Sequence, residues 1–313
     1  MQAMSLQAVT RLLRSIVVML GACLLVFVVL RLAPGDPAQI LLGDAASPEA
    51  IATLREQMGL NQPIWVQAIR FFGHLLRGDA GDSVVYGRPA MVLALEAFPA
   101  TLFLGIASFA MATAIAVPIG IVSAVRRPSF VEKAGLAIIL LCQSLPAFWV
   151  GILLIFFFAV NLQLLPTSGG DSIAHVVLPA MTLATVQIPM IARAIRSSML
   201  EVLGEDYIRT ARAKGASEWR VVMLHGFRNA LIPVITLMAV NFGTLLSGTV
   251  VTEAVFAWPG IGTLAMTGIL QRDYTLVQAI VIFSAAIVAL ANFTADSLYQ
   301  VLDPRLRAQG AGK

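Results

Sequence analysis

Apolar residues in this chain do not alternate with polar ones but gather into long blocks without charge, at 15–30, 97–125, 134–170, 172–192, 229–252 and 274–295. A helix needs about 20 residues to cross the hydrocarbon core of a bilayer, so the pattern predicts six membrane-spanning helices. The block at 15–30 is short and must recruit its flanks, with Arg14 and Arg31 snorkelling toward the two interfaces. The block at 134–170 holds one span and a looser tail containing Pro166, Gly169 and Gly170. Pro118 and Gly120, Pro146, Pro179, Pro189 and Pro233 fall within or at the start of spans. Each is either an ordinary kink or a hinge.

Two segments between blocks carry helical patterns of their own. In 31–96, Ser47 and Pro48 form a cap and first-turn pair and Gly59 a stop, which predicts a short helix over 48–58. A second helix begins at Pro63, with Ile64, Trp65, Ala68, Ile69, Phe72, Leu75 and Leu76 on one apolar stripe. It is either a lid packed on the membrane part or a surface that receives a protein delivering substrate. In 199–233, Gly215 follows a basic run and suits the left-handed residue that ends a helix. Ser217 can cap the next helix, whose Trp219, Val222, Met223 and Phe227 recur at helical spacing. The result is a basic helix-turn-helix, an elbow, where a bundle needs only a short loop.

Composition agrees with a polytopic membrane protein: 58% of 313 residues are hydrophobic and 12% charged. Seven cations, Arg193, Arg196, Arg209, Arg212, Lys214, Arg220 and Arg228, cluster at the elbow. With both termini in the cytoplasm, 15 of the 21 Lys and Arg lie inside, and Arg31, Arg55, Arg70, Arg77, Arg88 and Arg272 outside. That asymmetry orients the chain. It also explains the net charge of +4 without nucleic-acid binding. Arg11 and Arg14 precede the first block, which lacks a small-x-small cleavage pattern and reads as an uncleaved span. Cys23 and Cys142 lie in apolar blocks and read as packing residues, not a disulfide.

Constellations for catalysis are missing. The only Gly-Lys pair is Gly312-Lys313, so the chain has no phosphate-binding loop of the Walker A type. His74, His175 and His225 are isolated, and Ser247 has no nucleophile-elbow setting, which leaves neither a metal site nor a serine hydrolase. In the fifth block Asn241, Thr244, Gly248 and Thr252 recur at steps of three or four, with Glu253 at the outer end. Such a stripe is either helix-packing glue or the lining of an aqueous pathway.

A series of motifs resembles the permease subunits of binding-protein-dependent ABC importers, in the dipeptide, oligopeptide and nickel branch. They are RLAPGDPA at 31–38, MGLNQPIWVQ at 58–67, GDAGDS at 78–83, LPAFWVGILL at 145–154 and DYIRTARAKGAS at 206–217. RNALIP at 228–233, EAVFAWPGIG at 253–262, RDY at 272–274 and LDPR at 302–305 complete the set. Each is modest alone, and their order along one chain is specific.

The resemblance implies an all-α, polytopic fold of the type I ABC importer permease kind, six transmembrane helices with a cytoplasmic coupling helix-turn-helix. It divides the chain into a cytoplasmic N-terminus and first span (1–32), an external segment (33–96), a five-span core (97–303) with coupling loop 199–229, and a cytoplasmic tail (304–313). In the family the elbow is the EAA loop, which inserts into a groove of an ATPase subunit. The general pattern is Glu-Ala-Ala, three residues, then Gly. Here Ala211 and Gly215 match, Arg209 and Thr210 replace Glu and Ala, and Pro233 is displaced toward the C-terminus. Tyr207, Ala211, Lys214, Gly215, Ala216 and Ser217 are the implied coupling residues. Asn241, Thr244, Gly248, Thr252 and Glu253 are the candidate pathway residues.

The resemblance further implies a homologous second permease subunit, one or two ABC ATPase subunits, an extracytoplasmic solute-binding protein and a bacterial or archaeal cytoplasmic membrane. ATP and Mg belong to the ATPase partners, and this chain binds no cofactor or metal and is not itself an enzyme. Short peptides are the favoured solutes, with nickel chelates, glutathione and other small solutes open. The competing class is a stand-alone secondary transporter or channel, which needs ionisable residues inside the membrane; Asp296 is the one candidate.

Overall fold

In the computed structural model the described residues are 37–302, apart from 44, 45, 58, 76 and 248, with part of the stretch 17–29. Among them the only β-type pairing is an isolated bridge between Asp82 and Pro89. Four helices are long and apolar enough to cross a membrane, in the segments Ala90–Val125, Ala174–Leu203, Glu218–Gly243 and Tyr274–Thr294. The first predicted span lies mostly outside the described residues.

Three short helices precede the core: α1 (Pro37–Leu42), α2 (Pro48–Gln57) and α3 (Ile64–Leu75). Ser47 caps α2 by accepting the Ala50 N–H at 3.2 Å. Gly59 stops it at φ +65°, a conformation that costs glycine least. Gln67 then donates from Nε2 to the Leu60 and Gln62 carbonyls and pins the turn between α2 and α3. The predicted stripe of α3 is only partly covered, because Ile64, Trp65 and Ile69 are all more than half exposed.

The core is built on α4 (Ala90–Val125) and α7 (Ala174–Leu203), which pack along each other more extensively than any other pair. Small residues permit this closeness. Ala112, Ala116 and Gly120 of α4 are buried against Ile188, Ile191, Ala192 and Ile195 of α7. A methyl group on Gly120 would lie 2.8 Å from the Ala192 carbonyl oxygen. Dispersion between closely approaching helices replaces the hydrophobic drive that lipid removes.

Prolines do not act alike. Pro118 in α4 and Pro179 and Pro189 in α7 lie inside continuous helices. Pro146 does break its block. The single span predicted within 134–170 is two helices, α5 (Phe130–Ser144) and α6 (Ala147–Asn161, π-wound from Ile155), meeting at 103°. Proline at the first turn has no N–H to lose, whereas Leu145 before it is held extended at ψ 132°.

After α7 come α8 (Asp206–Ala213) and α9 (Glu218–Ser247, π-wound over Val221–Phe227). Two further short helices, α10 (Val250–Val255) and α11 (Ile261–Leu270), fold back before α12 (Tyr274–Leu302). The elbow lies at one end of the bundle. The starts of α4, α7 and α12, with α10 and α11, lie at the other.

Candidate functional site

At the elbow, α8 ends in a Schellman motif. Gly215 takes φ +80°, its N–H donates to the Arg212 carbonyl at 2.9 Å, and the Ala216 N–H donates to the Ala211 carbonyl at 3.2 Å. Two carbonyls of the last turn are thereby satisfied by a reversal only glycine enters without strain. Ser217 holds the cap position of the next helix with extended backbone, but its hydroxyl makes no capping bond. Arg212 instead bridges the turn, with Nε and Nη2 on the Glu218 carboxylate at 2.8 and 3.3 Å.

The elbow is fastened to the bundle from both limbs. Ile208 is fully buried beneath α8. The Tyr207 hydroxyl accepts from Asn229 Nδ2 at 3.0 Å, and the same amide donates to the His225 carbonyl at 2.9 Å. Ser198 Oγ of α7 donates to the Ala230 carbonyl of α9 at 3.0 Å. Nearby, Glu132 of α5 accepts from Arg196 Nη2 at 2.7 Å and Arg127 Nε at 3.1 Å. Of the implied coupling residues, Tyr207, Lys214, Gly215 and Ser217 are exposed, with Ala211 and Ala216 half-buried. Trp219, the first of the apolar residues that recur at helical spacing in the second limb, is 72% exposed. Leu224 is exposed beside it, while Val221 and Val222 take the buried positions. The elbow thus offers an aromatic residue among cations, on a mount fixed by side-chain bonds.

At the opposite end two buried carboxylates organise the chain. Glu253 is fully buried, and its Oε2 accepts the Gly262 N–H at 2.7 Å and the Thr263 N–H at 3.4 Å. The acid therefore closes the first turn of α11, where free N–H groups and the helix dipole favour negative charge. The Ile261 N–H goes to Thr101 Oγ1 at 2.8 Å, and Trp258 Nε1 donates to the Ala100 carbonyl at 2.9 Å. A side chain on Gly260 would strike Glu253 and Thr101. Asp273, also buried, accepts the Ser83 hydroxyl at 2.6 Å and the Val85 N–H at 3.1 Å through Oδ2, and the Leu276 N–H at 3.0 Å through Oδ1. It caps α12 and ties down the loop before α4. In that loop the Gly81 N–H, and after it His74, hold the Asp79 carboxyl below the usual carboxylate range.

The predicted pathway residues do not share one helix. α9 ends at Ser247, and Thr252 and Glu253 belong to α10, both buried within the chain. Gly248 lies outside the described residues, and of Thr244 only the backbone is described. Asn241 is half-buried and donates from Nδ2 to the Leu237 carbonyl of its own helix at 2.8 Å. Cys23 and Cys142 are free thiols. Among the described residues no cluster of His, Cys, Asp or Glu could hold a metal.

Sequence reasoning missed Asp273, Ser83, Thr101 and Trp258. Two of the quoted motifs, GDAGDS and RDY, turn out to be the halves of one contact. EAVFAWPGIG folds on itself so that its first acid meets the backbone of its last glycine.

Known proteins place this geometry. The profile of the binding-protein-dependent transport system inner membrane component matches residues 116–308, and the profile of the N-terminal part of such membrane components matches 4–99. The glutathione transport system permease protein GsiC of Salmonella typhimurium is 43% identical over 297 residues, covering 95% of this chain and 97% of that protein. The dipeptide transport system permease protein DppB of Escherichia coli K12 is 38% identical over 320 residues, covering 92% and 94%. A probable peptide ABC transporter permease protein of Sinorhizobium fredii is 37% identical over 312 residues, covering 97% and 100%. Among solved structures, an inward-facing MetNI methionine ABC transporter chain superposes with a TM-score of 0.59 at 22% identity, over 68% of this chain and 97% of that one.

Proposed function

The chain belongs to the family of inner membrane components of binding-protein-dependent transport systems, and we propose that it passes di- or oligopeptides, or a related small solute such as glutathione, through an ATP-driven importer. It is a permease subunit, a membrane component of transport and not the seat of a reaction. The observation that carries the substrate class is the near full-length similarity to permeases named for dipeptide, peptide and glutathione transport. The six charge-free apolar blocks support six spans, and the charge asymmetry supports placing the elbow and both termini in the cytoplasm. A second, homologous permease completes the pore, and a solute-binding protein delivers cargo on the opposite side.

The elbow is the element that meets an ATPase subunit, which holds the ATP and Mg. The exposed Trp219 among cations is the side chain on the elbow best suited to anchor such a contact. Tyr207, Ala211, Lys214, Gly215, Ala216 and Ser217 form the contact and the turn that shapes it. ATPase closure draws the elbow with it. Because Ile208, Tyr207–Asn229 and Ser198–Ala230 bind both limbs to α7 and α9, the pull moves those helices as bodies. Asn241 contributes to the pathway on the α9 side. Thr244 and Gly248 extend the same stripe, and Thr252 and Glu253, buried within the chain, reach the pathway only in a conformation that opens the α9–α10 junction.

A secondary transporter would need buried ionisable groups free to exchange protons or ions. Asp273 and one carboxylate oxygen of Glu253, Oε2, are instead engaged with backbone N–H groups at helix starts, while Glu253 Oε1 is buried without a partner among the described residues. Co-expression with the candidate ATPase and second permease tests the assembly. A stable complex whose ATPase activity rises with the loaded binding protein is the expected result. A chain that purifies alone and moves solute without ATP would overturn it.

A further inference from the structure

Helix α3 carries more apolar surface than this chain covers. Its residues divide among three sides. Phe71, Ala68 and Leu75 turn toward the protein and are half-buried. Gln67, Arg70 and His74 make a polar side, Trp65 and Ile69 make an exposed apolar one, and Ile64 is exposed at the first residue of the helix. Three large apolar side chains held in water would be a standing cost, and the stripe is too regular for chance exposure.

What covers it follows from where α3 is seated. Phe71 packs on Phe27 with ring centroids 5.4 Å apart, and Phe72 meets Phe71 edge-on at 5.3 Å. Phe27 is buried and belongs to the first apolar block, four residues before Arg31. Its neighbours Leu24, Leu25, Val28 and Val29 are exposed, as a lipid-facing surface requires. The level of α3 is therefore set by the last turn of a membrane-spanning segment. We infer that α3 lies in the membrane interface at the end of the molecule opposite the elbow, with Ile64, Trp65 and Ile69 against lipid and Arg70 and His74 toward phosphates and water. Tryptophan suits the headgroup boundary, since its ring is apolar and its N–H needs a polar partner. A short amphipathic helix with a basic polar side is the form such interfacial segments take. Anchored in this way, α3 fixes the height of the loop that Asp273 clamps, and with it the entry to α4.

The inference rests on the chain spanning a membrane and not on what it transports. The test uses the assembled complex in nanodiscs of phosphatidylethanolamine and phosphatidylglycerol. On a Cys23→Ala, Cys142→Ala background, Ile69→Cys and separately His74→Cys are labelled with a nitroxide. Relaxation by oxygen is compared with relaxation by a water-soluble nickel chelate. Position 69 should favour oxygen several-fold more than position 74 does. Equal access of the chelate to both positions would overturn the inference, and so would position 69 shielded from both reagents, which would mark a protein partner on this face. A second readout needs no cysteine: quenching of tryptophan fluorescence by brominated lipid should lose a component in the Trp65→Phe complex, and unchanged quenching counts against lipid contact. A complex that imports normally while position 69 faces water would overturn this inference and leave the transport reading standing.

Discussion

Gly215 shows how much one backbone angle decides. A Cβ there would meet nothing within 4 Å, so any effect of substitution comes from φ and not from crowding. Gly215→Val should strain the turn by about 1–2 kcal/mol, lowering ATPase coupling while the chain still inserts. Gly215→Asn, which tolerates the left-handed region, should be milder. Equal ATPase stimulation in both variants and the parent complex would contradict this. The glycine was legible because a basic helical run followed by Gly and Ser is a local signal. Asp273 was not, since Ser83 lies 190 positions away and no local pattern announces the pair. Asp273→Ala would leave the Ser83 hydroxyl and the Val85 and Leu276 N–H groups without their acceptor, at about 1–3 kcal/mol for each buried group. The complex should melt at lower temperature, and the 79–88 loop should become sensitive to protease. An unchanged melting temperature would argue against the clamp. Asp79 bears on pH. Its lowered carboxyl pKa adds stability above the ordinary value of about 3.9, lost only as pH falls through the lowered one, so Asp79→Asn should leave the pH profile of transport unchanged between neutrality and pH 5.

Helices were easier to foresee than the joints between them. Apolar blocks and cap signals yield α2, α4, α7 and α12 because length and local propensity suffice to form a helix in lipid. Both the 103° break at Pro146 and the end of α9 at Ser247 fall inside charge-free blocks, so the absence of charge alone does not mark either joint, although Pro146 signals the first. The same limit hid α10 and α11, whose joint is held by a buried acid and a glycine. A Cβ on Gly262 would lie 2.5 Å from the Val250 Cα and 2.9 Å from Glu253 Oε2. Because the first contact is backbone, Gly262→Ala cannot be relieved by a rotamer change. It should cost about 1–3 kcal/mol or more and reduce the yield of folded complex, whereas Glu253→Gln, which keeps an acceptor for the two N–H groups, should be better tolerated. Thermal stability in detergent distinguishes them, and an equal loss in both variants would contradict the expectation that an uncharged acceptor suffices at position 253.

The molecule is a bundle whose two ends differ in construction. Buried acids and aromatic packing hold α4, α10, α11 and α12 together at one end, and the basic elbow projects at the other. If the elbow end is cytoplasmic, as the charge asymmetry predicts, a cysteine placed at the exposed Asn61 should react with an impermeant thiol reagent from outside. Labelling seen only after the membrane is broken would invert the molecule. Its family was legible only through the ordered motifs, which the matches to inner membrane components of binding-protein-dependent transport systems bear out. The most direct measurement of the central claim is uptake into proteoliposomes holding this chain with its partner permease and ATPases, with labelled dipeptide and the binding protein on one side and ATP on the other. Accumulation should require ATP, the binding protein and this chain together, and should fall when Gly215→Val replaces the parent. Accumulation that persists without ATP, or without this chain, would contradict the account.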